Sequence, residues 1–304
     1  MINMTDRYSW GGSADYVAPA AERLYDDRKT YYAAASEVVR TNRSSMYSWE
    51  DDPLVCESIY PIIIGIDTTG SMQRWPELFF QKAVLTCEQA EKYFPGCMIS
   101  YQAINDYYAD GSHNAFQPGP FAAGPDVDTV LANLYAVGGG GPSITESYEI
   151  YAAYNSKIET PNAERKPLCF ILGDEKPFEF LPPEVAKHFE LNHQDGSKTS
   201  SKDVFTSLHE KCDVFLIRKP YPGNDKEIEK AWIDIGLMKP QNIFMVKDAA
   251  RVVDVILGIF GSLAGREDEA NAELIARQEN DNGGEKKIET VMRSLDPYRS
   301  SISE

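Results

Sequence analysis

Residues 62–72 read IIIGIDTTGSM, an apolar run that passes straight into one carboxylate, three hydroxyls and a glycine. Oxygen donors gathered at a strand's end serve three chemistries: an aspartyl nucleophile, a protease dyad or a hard-cation site. Spacing separates them. An aspartyl phosphatase wants a second acid two residues after the first, where this chain has Thr69. A pepsin-like protease needs Asp-Thr-Gly with a mate in a β-rich chain, and the order here is Asp67-Thr68-Thr69-Gly70. A phosphate loop needs Gly-x-x-x-x-Gly-Lys-Ser/Thr, which is absent. That leaves the cation. Asp67, Thr69 and Ser71 stand at i, i+2 and i+4 and can converge where a strand turns into a loop. Two neutral hydroxyls, with the carboxylate holding a coordinated water, suit Mg²⁺, which takes oxygen ligands at about 2.1 Å and gives up water reluctantly. Few negative ligands leave such an ion electrophilic, with an appetite for an outside carboxylate.

The surrounding pattern fixes the architecture. YPIIIGID (60–67), CMISYQAIND (97–106), PLCFILGD (167–174), CDVFLIRK (212–219) and NIFMVKD (242–248) are short apolar runs ending in polar residues, the look of strands buried on both faces. Between them lie helix-period segments at 76–94, 127–137, 144–158, 226–236 and 249–263. In the first, Phe79, Ala83, Cys87, Ala90 and Phe94 fall on one helical face. The alternation predicts an α/β, doubly wound, mostly parallel Rossmann-like sheet over about 57–264, with right-handed crossovers. Ligands of such sheets bind outside the carboxyl ends of the strands, and Asp67 closes its strand there.

Around this core, residues 1–56 read as an N-terminal extension with a helix over 19–40, and 193–203 as a polar, mobile loop. Residues 265–304 read as a charged, solvated tail with one amphipathic helix over 285–295 that can dock elsewhere. Composition narrows the function classes. The 304 residues, 42% hydrophobic, can bury a full core, and 30 Lys+Arg against 47 Asp+Glu give a net charge of −17, which repels a polyphosphate backbone. Nucleic acid is therefore not an expected partner. Five scattered cysteines without a CxxC pair argue for reduced, buried thiols rather than disulfides or a zinc cluster. No basic leader and no apolar run near the roughly 20 residues of a membrane span point to a cytoplasmic protein without a membrane partner.

DTTGSM after a buried strand resembles the metal-ion-dependent adhesion site of von Willebrand factor type A domains, whose first motif is Asp-x-Ser/Thr-x-Ser. That family's third element, an Asp ending the fourth strand, matches Asp174 in FILGDEKP; AINDYYAD (103–110) and GGGGPSITESYE (138–149) resemble a bacterial and phage branch. The likeness covers about 57–262. In the second element the family places Thr directly after Gly-Gly, whereas here Pro142 intervenes, leaving Ser143 or Thr145, with Ser143 favoured. The resemblance implies a metal set of Asp67, Thr69, Ser71, Ser143 and Asp174 holding Mg²⁺ or Mn²⁺, and a non-enzymatic module that captures a partner's Asp or Glu. It also implies an adaptor role beside an AAA+ ATPase or within an assembly. The alternatives are a metal-dependent hydrolase or phosphoryl-transfer enzyme, with Glu175 or Asp106 as its base, and a metal-free structural subunit with a degenerate site.

Plainer roles stand beside these. Asp67 can cap its loop, Thr69 and Ser71 can be turn hydroxyls, and Asp106 can serve a surface turn or the site's periphery. Glu146 is expected in the first turn of its helix, favourable to the dipole. Glu175 and Lys176 flank the site as possible ligand contacts. The four histidines, His113, His188, His193 and His209, lack metal-motif spacing; the 138–141 glycines read as a flexible loop, and Trp10 and Trp49 as packing on the sheet's flank.

Overall fold

The computed structural model describes residues 46–278 and 283–302; the expected helix over 19–40 and Trp10 lie outside the described residues. Six strands form the central sheet: β1 (Pro61–Asp67), β2 (Met98–Ile104), β3 (Phe116–Ala122), β5 (Leu168–Gly173), β7 (Asp213–Arg218) and β8 (Ile243–Met245). Their order is β3-β2-β1-β5-β7-β8, parallel throughout except for β3, which runs antiparallel to β2. A separate two-stranded ladder pairs β4 (Thr145–Glu146) with β6 (Lys176–Pro177). All five apolar runs became parallel strands. The chain leaves β1 toward β2 on one side and later returns to β5 on the other, so the strand order reverses between β1 and β5. Asp67 ends the first of these strands and Asp174 follows the second, which puts both at the crevice where such sheets bind ligands.

β3 was not foreseen. Its sequence, FQPGPFA, holds Pro118 and Pro120, which cannot donate to a ladder and so fit only an edge strand.

Both faces of the sheet are covered, which explains the uninterrupted apolar runs. Alternate β1 side chains feed two cores: Ile62, Ile64 and Ile66 go to one, Ile63 to the other. The first face carries α1 (Trp75–Phe80), α2 (Ala83–Tyr93), α3 (Asp126–Ala132) and α8 (Val252–Leu263). The second carries α4 (Tyr148–Asn155), α5 (Pro183–His188), α6 (Ser201–Lys211) and α7 (Asp225–Asp234). The segment expected as one helix over 76–94 breaks at 81–82 into α1 and α2, yet Phe79, Ala83, Cys87, Ala90 and Phe94 are all buried on the same side. Residues 193–199 are irregular around a turn at 194–195, but α6 begins within the expected loop, with a capping box in which Ser200 accepts from the Asp203 N–H and Asp203 accepts from the Ser200 N–H.

The charged 265–304 segment keeps the amphipathic helix expected over 285–295 but holds more helix than a solvated tail. It forms two helices, α9 (Glu267–Gln278) and α10 (Gly284–Ile302), and these lie on α8 rather than in solvent. Ala270 and Leu274 on α9, and Val291, Leu295 and Tyr298 on α10, recur at spacings of three and four, giving a narrow apolar stripe inside a charged sequence. Arg277 adds a 3.3 Å ion pair to buried Asp254. The five cysteines are free and buried. Among the described residues no helix is long and apolar enough to cross a membrane.

Candidate functional site

At the carboxyl edge of β1 and β5, four of the five expected ligand residues join one chain of polar contacts. Asp67, fully buried, accepts from the Thr69 N–H at 2.8 Å and the Thr69 hydroxyl at 2.6 Å on Oδ1. Its Oδ2 accepts from the Tyr148 phenol at 2.6 Å. Ser71 Oγ donates to Asp174 Oδ1 at 2.9 Å, and Lys219 Nζ donates to Asp174 Oδ2 and to the Ser71 carbonyl, each at 2.8 Å. The Thr69 and Ser71 hydroxyl oxygens lie 3.3 Å apart. With each hydroxyl proton drawn to a carboxylate, the two oxygens turn lone pairs, not protons, toward their common side.

Sequence order hides how tightly acids gather here. Glu146 and Glu175 are buried at 2% and 4% exposure, and Glu146 Oε2 and Glu175 Oε2 have no hydrogen-bond partner. Burial, reinforced by the negative charge of Asp174, pushes the Asp67 carboxyl up to about 7, against the opposing pull of hydrogen bonds from Thr69 and Tyr148. Burial, then Asp67 and Asp174, pushes Glu175 up to about 8. Glu146 is raised for the same reasons, burial first and Asp67 next. The ammonium of Lys219 pairs with Asp174 at 2.8 Å. Lys176, which flanks the site in sequence, pairs with Glu227 at 2.6 Å.

Glu146 corrects a specific expectation. It lies in β4 ahead of α4, not in the helix's first turn; the first-turn acid is Glu149. Pairing of β4 with β6 carries Glu146 alongside Pro177, three residues past Asp174, which draws the two motifs together.

The glycine run is tied to the site by its backbone. Gly138 N–H donates to the Thr68 carbonyl at 3.0 Å, Gly70 N–H to the Gly139 carbonyl at 2.7 Å, and Gly140 N–H to Asp110 Oδ1 at 3.1 Å. A Cβ on Gly139 would sit 1.9 Å from Asp110 Oδ1. Gly140 has φ +115°, and a Cβ there would lie 3.3 Å from Glu146 Oε1 and 3.4 Å from Thr69 Cβ. Glycine is needed because the loop threads between side chains of the site. Asp106 is buried and caps its own turn, accepting from the Tyr108 N–H at 2.8 Å and the Ala109 N–H at 3.1 Å.

Ser143 stands apart from the chain linking Tyr148 to Lys219. It is exposed and shares its hydrogen bond, 2.7 Å, with Thr145 Oγ1. The histidines have local partners: His113 pairs with Glu50 and His193 with Asp203, His209 meets the Leu237 carbonyl, and His188 meets the Trp49 ring edge to face. Trp49 is buried, with its indole N–H on the Ser112 carbonyl at 2.6 Å.

The donors fit a hard cation. Among the described residues, no three His, Cys, Asp or Glu side chains converge as a metal centre of charged ligands alone. A site here therefore rests on hydroxyls and water as much as on carboxylates, the mixture that Mg²⁺ accepts. Glu146 Oε2 and Glu175 Oε2, costly to bury without a partner, are acceptors that a cation or its waters would satisfy. Tyr148, Lys219 and Glu146 were missed from the sequence as members of this site; Lys219 alone left a trace, as the cation ending a parallel strand.

No protein-family model and no curated protein sequence matches the chain. Solved structures similar to it include the pilus adhesin SpaC from Lactobacillus rhamnosus GG in an open conformation, 11% identical, covering 73% of this chain and 31% of that one at a TM-score of 0.45. Another form of the same adhesin aligns at 10% identity over 73% of this chain and 32% of that one, TM-score 0.42. A von Willebrand factor type A protein from Catenulispora acidiphila is 16% identical over 69% of this chain and 43% of that one, TM-score 0.39. The chain thus spans about a third of the adhesin's length.

Proposed function

We propose that this protein is a non-enzymatic binding module that holds Mg²⁺ or Mn²⁺ at the carboxyl edge of β1 and β5 and uses it to capture an Asp or Glu side chain of a partner protein. Thr69 and Ser71 would supply neutral oxygens, and Asp67 and Asp174 the flanking carboxylates. When bound, the ion offers an electrophilic position to an incoming carboxylate. The observation that carries this reading is the pair of hydroxyl oxygens 3.3 Å apart, each with its proton committed to a buried carboxylate.

Charge sharpens it. A surface of net charge −17 repels an acidic guest, so capture depends on the ion and weakens little in salt. Calorimetric titration with Mg²⁺ and Mn²⁺, followed by binding of aspartate- and glutamate-bearing peptide arrays with and without chelator, tests the reading. Wild type is expected to bind metal and then acidic peptides only while metal is present, and Asp67→Ala to do neither. Equal heats from wild type and Asp67→Ala would refute it.

A further inference from the structure

We infer that Glu146, rather than Ser143 or Thr145, is the side chain of the 138–149 segment that engages the cation, its Oε2 accepting a hydrogen bond from the ion's hydration shell. The inference rests on the metal-binding reading above. Three observations carry it. Glu146 is 2% exposed with Oε2 unpartnered, whereas most buried side-chain acceptors find a donor. Its other oxygen is directed into the site, since a Cβ on Gly140 would lie 3.3 Å from Oε1 and 3.4 Å from Thr69 Cβ. The β4–β6 ladder fixes this placement through two backbone pairings, Thr145 with Lys176 and Glu146 with Pro177. By contrast, Ser143 and Thr145 spend their hydroxyls on each other at 2.7 Å, Ser143 at the surface.

An outer role, through water, also agrees with the absence of three convergent charged ligands among the described residues. Mg²⁺ keeps several waters, and buried acceptors for those waters commonly set affinity by ten- to a hundredfold. The family-like hydroxyl of the second motif is thus replaced here by a carboxylate one ladder position further along.

The test is Mg²⁺ and Mn²⁺ calorimetry on wild type, Glu146→Gln and the double variant Ser143→Ala/Thr145→Val, with thermal melts of each in chelator. Glu146→Gln is expected to weaken metal binding by about tenfold or more while melting no lower than wild type in chelator, because it removes an orphaned buried carboxylate. Ser143→Ala/Thr145→Val is expected to bind within about twofold of wild type. Unchanged affinity in Glu146→Gln, or a tenfold loss confined to the hydroxyl variant, overturns the inference and leaves the metal site standing. Absence of binding in wild type overturns both together.

Discussion

Replacing Gly173 with alanine probes the wall that supports Asp67. Gly173 ends β5, and a Cβ there would lie 2.2 Å from the Tyr148 phenol oxygen and 2.7 Å from Cζ. Tyr148 is fully buried, packs on Trp232 at 5.5 Å between ring centroids, and donates to Asp67 Oδ2 at 2.6 Å. The ring cannot yield without surrendering that bond. Overpacking costs about 1–3 kcal/mol, the lost hydrogen bond to a carboxylate about 1.5–3, and removing a strand glycine returns about 0.5–1. The expected net loss is about 1.5–5.5 kcal/mol. Tyr148→Phe alone loses the hydrogen bond, about 1.5–3 kcal/mol. In the double variant the bond is lost only once and the 2.2 Å contact is gone, though Cζ remains close. Urea unfolding in chelator of the two singles and the double is therefore expected to fall short of additivity by about 2 kcal/mol. Additivity within about 0.5 kcal/mol would refute the coupling of Gly173, Tyr148 and Asp67.

Other perturbations reach neighbouring parts. Lys219→Met strips Asp174 of its ammonium, a pair at 13% and 0% side-chain exposure; in chelator the variant is expected to lose about 3 kcal/mol in urea unfolding, and to regain most of it with Mg²⁺. Unchanged stability in chelator would contradict that. Glu149 is fully buried with Oε1 unpartnered, and burial raises its carboxyl well above the usual range. Its folded form holds a proton that the unfolded chain releases, so its contribution is intact below about pH 4.5 and declines as pH rises, by up to about 1.4 kcal/mol per pH unit. Glu149→Gln is thus expected to match wild type near pH 4.5 and to exceed it at pH 7–8 in chemical denaturation; parallel pH profiles would sink the argument. Leu295→Ala removes a fully buried side chain whose Cδ1 would meet a Cβ at Gly258 on α8. A loss of about 2–5 kcal/mol in urea unfolding is expected, whereas a solvated C-terminal segment would show almost none.

The legible part of the fold was its repeating physics. Five apolar runs of strand length could only be strands covered on both faces, and the parallel sheet with Asp67 and Asp174 at its carboxyl edge followed. β3 escaped because Pro118 and Pro120 disguise an edge strand as a loop. Of the two C-terminal helices, the one over 285–295 was legible and α9 escaped, because its stripe residues, Ala270 and Leu274, are diluted by charge and only α8 supplies the surface that makes them meaningful.

In the site, Asp67, Thr69 and Ser71 were legible because they are local in sequence. Glu146 was not, since ITESYEIY carries helical periodicity and only pairing with β6 pulls its first residues into a ladder. Tyr148 and Lys219 belong to a helix and to a strand one position away in the sheet, so their approach to Asp67 and Asp174 exists only after folding. The role of the glycines was likewise invisible, because what Gly139 and Gly140 avoid are side chains from other segments.

The most direct measurement of the central claim is anomalous diffraction from crystals grown with Mn²⁺. The account predicts a peak at the carboxyl edge of β1 and β5, bordered by the Thr69 and Ser71 hydroxyls with Asp67 and Asp174 beside it. Diffraction without a peak there, with those side chains still bonded only to one another and to backbone, would contradict it.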